Sequence, residues 1–87
     1  MYYTAKITEE EGKFVVRFPD CNGCATFGDT LEEARTLASE ALNSWLETHL
    51  DLGRTPPRPV THDPTGESIE VKPDVAIRLE RTWTKAS

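Results

Sequence analysis

Apolar residues occupy every second position at the start of the chain. Tyr3, Ala5 and Ile7 alternate with Thr4, Lys6 and Thr8, the period of a half-buried strand. Glu9, Glu10, Glu11 and Gly12 make a polar turn. Phe14, Val16 and Phe18 then alternate with Lys13, Val15 and Arg17, so the two runs read as a hairpin. Pro19 has no amide hydrogen for a ladder and closes the second strand. Asp20, Asn22 and Gly23 are turn formers. Residues 24–27 read as a short third strand ending at Gly28.

The period then changes. Leu31, Ala34, Ala38, Ala41, Leu42 and Trp45 fall at spacings of three and four, the stripe of an amphipathic helix. Thr30 stands three residues before Glu33, the spacing of a capping box. Asp29, Glu32 and Glu33 add negative charge at the positive end of the helix dipole. The helix is expected over about residues 30–49, with its alanines facing a sheet and Leu37 and Leu46 beside the stripe. Residues 51–67 hold Pro56, Pro57, Pro59 and Pro64 among Gly and Thr and form a connector. Residues 68–72 alternate again and predict a fourth strand.

The last segment, residues 74–87, fits two templates. Val75, Ile77, Leu79 and Trp83 sit at strand spacing. Ala76, Leu79 and Trp83 also make a helical stripe that Pro73 and Asp74 would start. The strand is preferred. Its apolar edge, carrying Ile77, Leu79 and Trp83, would seek a partner strand from another subunit. The fold expected is α+β: a small antiparallel β-β-β-α-β sheet with one long helix on a face, plus a C-terminal strand, in one domain of 87 residues.

Charge narrows the function. Ten Lys and Arg stand against fifteen Asp and Glu, for a net charge of −5. Phosphate backbones repel such a surface, while a basic partner is attracted. No run approaches the length of a membrane span, and the start lacks a signal-peptide pattern. A cytoplasmic protein is expected, one whose small core would gain from assembly into a dimer or tetramer.

Candidate chemistry is sparse. Cys21 and Cys24 form a CxxC, but a structural zinc needs four ligands and only His49 and His62 remain. Redox use needs the pair at a helix start, whereas here it lies in a turn. Asp20, Asp29 and Glu32 are close in sequence, as in metal-dependent nucleases, yet turn and cap roles account for each. No metal, cofactor or catalytic residue is expected. Tyr2 and Tyr3 could stack bases, but Lys6, Lys13 and Arg17 make only a small basic patch. Trp45 is expected in the core, and Arg54 and Arg58 in solvent.

The run from Phe18, Pro19, Asp20 and Gly23 to Gly28, Asp29, Thr30, Leu31, Glu32, Glu33 and Ala34 resembles the signature of HicB-like antitoxins. Where that family often has Leu-Pro before the glycine, this chain has Cys21-Asn22. The resemblance implies a degraded, ribonuclease H-like layout without catalysis. It implies as partner HicA, a small basic RNA-cleaving toxin of a type II toxin–antitoxin system, neutralised by occlusion. Such proteins commonly add a DNA-binding module after the domain. Thirteen residues follow Asp74, too few for one, so no direct DNA binding is expected. The alternatives are an orphan self-assembling or ligand-binding domain, or a residual nuclease using Asp20 and Asp29.

Overall fold

The computed structural model describes residues 1–86. The elements run β1 (Tyr2–Glu10), β2 (Lys13–Arg17), β3 (Ala25–Gly28), α1 (Leu31–Asp51), β4 (Glu67–Glu70) and α2 (Pro73–Ala86). The strands make one sheet in the order β3-β2-β1-β4, with every neighbouring pair antiparallel. The α+β class and the long helix over one sheet face are as the sequence predicts.

Period two places Tyr3, Ala5, Val16, Phe18 and Ile69 on the inner face, where all are buried. Ala34, Ala38, Leu42 and Leu46 of α1 close over them. Leu46 belongs to the core itself, while Trp45 is half-buried and packs against it. Small side chains at 34 and 38 let the helix lie close to β2 and β3. Lys13 pairs with Glu10, so the β1–β2 hairpin turns on two residues. Both have positive φ, 51° at Glu11 and 78° at Gly12, which matches the twist of the strands. A left-handed conformation strains a residue with a Cβ by about 1–2 kcal/mol, and Asn tolerates it best. Glu11→Asn is therefore expected to raise stability by about 0.5–1 kcal/mol, read as a higher urea midpoint at unchanged slope. A lower midpoint would contradict this account of the turn.

The C-terminal segment corrects the sequence reading: residues 73–86 form a helix, not a strand. Val75, Leu79 and Trp83, spaced by four, are buried on its inner side. At strand spacing Arg81 would share the apolar face with Leu79 and Trp83. At helical spacing Arg81 and Ile77 turn outward together, and both are exposed. Pro73 suits the first turn, where its missing amide hydrogen costs nothing. The expected intersubunit strand is therefore absent from the described residues, and residue 87 lies outside them. Leu79 is fully buried within the chain and Trp83 nearly so. Of the three residues expected at an oligomer interface, only Ile77 is presented to solvent.

One polar side chain in the core ties α2 to the rest. Asn43 is 2% exposed. Its Oδ1 accepts from the Lys72 amide at 2.9 Å, and its Nδ2 donates to the carbonyls of Ser39 at 2.9 Å and Glu70 at 3.4 Å. The side chain thus satisfies the backbone between β4 and α2, which would otherwise be desolvated without partners.

Candidate interaction surface

The segment from Phe18 to Glu33 is a chain of local constraints. Phe18 is buried, and its amide donates to the Cys24 carbonyl at 3.3 Å. Cys24 N–H donates to the Cys21 carbonyl at 2.9 Å, closing a tight turn in which Gly23 has φ of 87°. Gly28 meets a different demand, since its φ is not positive. A Cβ there would lie 2.6 Å from the Ala34 backbone nitrogen, so a glycine lets β3 run directly into α1. Thr30 caps the helix and accepts from the Glu33 amide at 3.0 Å. The Glu33 carboxylate reaches back one residue further than a standard capping box, to the Asp29 amide at 3.2 Å. The Asp29 carboxylate pairs with Lys13.

Asp20 has a role that the sequence did not disclose. Its carboxylate accepts from the amides of Val60 at 3.1 Å and Thr61 at 2.9 Å, and from the Thr61 hydroxyl at 2.6 Å. The Pro-rich connector is thereby strapped to the sheet. Thr4 donates to the Thr61 carbonyl at 2.8 Å, and Lys6 pairs with Asp63 at 2.8 Å. Tyr3 O–H donates to the Pro57 carbonyl and Trp83 N–H to that of Pro56. Arg58 is exposed, as expected, and its guanidinium lies 4.9 Å from the centre of the Trp83 ring, a cation–π contact.

Burial pulls the Asp20 carboxyl upward, but the bonds from Thr61 and Val60 outweigh it and leave the pKa below its ordinary value. Lys6, together with Thr65, holds Asp63 well below the usual carboxylate range. Depressed carboxylates stabilise the fold above their unfolded pKa, and that contribution is lost as pH falls through the folded value. The strap is therefore expected to loosen below about pH 4, before the sheet melts. Amide exchange at Val60, Thr61 and Thr65 reads this directly. In Asp20→Asn, the Val60 and Thr61 amides should exchange fast already at neutral pH. Equal protection in both proteins would sink this assignment.

Charge on the remaining surface is uneven. Residues 1–51 hold ten acidic side chains and four basic ones. All four cations are engaged: Lys6 with Asp63, Lys13 with Asp29, Arg17 with Glu10, and Arg35 with Glu67. The Arg35 pair is bidentate, with contacts of 2.7 and 2.8 Å. Such exposed pairs add little stability, but they cancel the positive charge of this half. Glu9 and Glu11 at the hairpin, and Glu32, Glu40 and Glu47 along α1, make no ion pair among the described residues.

The other candidate groups do not assemble into a centre. Asp20 serves the strap and Asp29 pairs with Lys13, while Glu32 is exposed. His49 is half-buried and packs against Trp45, with ring centroids 4.0 Å apart and the planes tilted by 41°, and His62 is exposed. Among the described residues, no group of three or more His, Cys, Asp or Glu is placed to hold a metal ion. No helix there is long and apolar enough to cross a membrane.

Residues 3–79 match the model of the HicB-like antitoxins of bacterial toxin–antitoxin systems. The chain belongs to the HicB-like antitoxin family. The match takes in all four strands, α1, the strap and the first half of α2, well beyond the segment around residues 18–34. The chain is also 34% identical over 80 residues to a protein named Antitoxin HicB 2, from Photorhabdus laumondii. The aligned region is 91% of this chain and 55% of that protein, so the chain spans about half the length of this curated relative.

Proposed function

We propose that this chain is the antitoxin of a type II pair and neutralises a small, basic, HicA-type RNA-cleaving toxin by covering it. Membership of the family sets the class of function. The observation that carries the reading further is the charge layout: each Lys and Arg of residues 1–51 is tied to an acid, while Glu9 and Glu11 at the hairpin and Glu32, Glu40 and Glu47 of α1 make no ion pair among the described residues. Such a surface attracts a basic RNA-binding protein, steers its approach and repels competing RNA. Occlusion asks for no reacting group on the antitoxin, only a stiff surface. The capped α1 lying on the sheet supplies one.

The test is the rate of complex formation with the toxin. Association should slow as salt is raised, since steering by exposed charge is screened beyond about 8–10 Å at physiological ionic strength. Replacing Glu32, Glu40 and Glu47 together by Gln should slow low-salt association by about tenfold while changing dissociation much less. A complex that forms at the same rate in the triple variant would remove α1 from the proposal. Failure of any basic ribonuclease to bind the unaltered chain would remove the proposal itself.

A further inference from the structure

Cys21 and Cys24 take no part in the charge layout or the strap, and their arrangement is unusual for two core thiols. They are the first and fourth residues of a hydrogen-bonded turn, closed by Cys24 N–H on the Cys21 carbonyl at 2.9 Å. Gly23, the third residue, supplies the positive φ of 87°. Residues so placed have Cα atoms less than about 7 Å apart, and a disulfide spans about 4.4–6.8 Å. Both residues are buried and belong to the core cluster. The turn is anchored at both flanks, by Cys21 N–H on the Phe18 carbonyl at 3.1 Å and by Phe18 N–H on the Cys24 carbonyl. Alongside lies a cleft of about 580 Å³ lined by Lys6, Arg17, Phe18, Pro19 and both cysteines.

We propose that Cys21 and Cys24 are a modification site, a dithiol that closes reversibly to an intraturn disulfide by exchange with a small disulfide entering through this cleft. The exchange balances without any metal. The Cys24 thiol loses its proton to solvent and the thiolate attacks one sulfur of the small disulfide, expelling one thiolate. Cys21, deprotonated in turn, attacks the Cys24 sulfur of the mixed disulfide and expels the second. Two protein thiols are oxidised, and one small disulfide is reduced to two thiols. Cys24 attacks first because it is the less deeply enclosed of the two.

The environment sets the tempo. Burial pushes the Cys24 thiol up to about 11. Burial, then the neighbouring Cys24 and Asp20, push Cys21 to about 12. Since only thiolate attacks, closure is slow at neutral pH and accelerates about tenfold per pH unit below those values. The pair is a slow responder to sustained oxidation, not a fast sensor. It is also independent of whether the chain binds a toxin.

The test is incubation of the folded, full chain with excess oxidised glutathione across pH 7–9, followed by alkylation and intact-mass analysis. The expected product is monomeric and about 2 Da lighter, with Cys21 joined to Cys24 and both thiols recovered by dithiothreitol. Cys21→Ser should stop at a single glutathione adduct on Cys24. If that variant does not fold, the mass of the unaltered chain still decides. Thiols that stay unmodified in the folded chain, stable glutathione adducts, or disulfide-linked dimers would each overturn the proposal.

Discussion

Trp83→Ala should cost about 3–5 kcal/mol, the range for removing a large buried aromatic side chain. A chain of 87 residues has about 4–13 kcal/mol in total, so the variant should sit at the edge of folding. The ring is 7% exposed, its N–H donates to Pro56 at 2.7 Å, and Arg58 lies over its face. Removing it opens a cavity between α2 and the core and frees one end of the strap. At about 4–8 °C per kcal/mol for a chain of this size, the melting temperature should fall by more than about 12 °C. Trp83→Phe keeps most of the volume and loses the indole hydrogen bond, so it should cost about 1–2 kcal/mol. An Ala variant that melts within a few degrees of the parent would mean that α2 is not part of the core.

Gly28→Ala is the second large effect. The added Cβ would meet Ala34 N at 2.6 Å, Ala34 Cα at 3.0 Å and Glu33 C at 3.1 Å. All three are backbone atoms, so no rotamer change relieves the contact. Either β3 or the first turn of α1 must move, which strains the cap formed by Thr30 and Glu33. Overpacking of this kind costs about 1–3 kcal/mol and occasionally more. The upper end is expected, because two elements meet here. Thermal unfolding gives the size of the effect. Amide exchange at Glu33 and Ala34 tells whether the cap is what yields. A loss under about 1 kcal/mol would show that the junction is looser than the geometry implies.

These two residues show where sequence reading succeeded and where it failed. The hairpin and α1 were legible because their signals are local: alternation at Tyr3, Ala5 and Ile7, and a capping box at Thr30 and Glu33. The signature around Asp20 and Gly28 was legible as a pattern, but not in its cause. Asp20 reads as a turn former from its neighbours, and its true partner, Thr61, is 41 residues away. Tyr3 and Pro57 are separated by 54 residues. No periodicity marks such pairings, so an ordered strap passed for a plain connector. Trp83 fits both templates, because an apolar residue every second position also satisfies part of a helical stripe. The deciding residue was Arg81, which a buried strand face would not hold. Asn43 carried no local signal beyond lying beside Leu42 and Leu46.

Stoichiometry tests passive occlusion most directly. Increasing amounts of this chain would be added to a fixed amount of the HicA-type toxin proposed as its partner while RNA cleavage is followed. If one stiff surface simply covers another, activity should fall in a straight line and reach zero at a fixed whole-number ratio. It should return in full when the toxin is separated and refolded. Full cleavage in the presence of excess chain, or lasting loss of activity at far less than one equivalent, would contradict a passive cover.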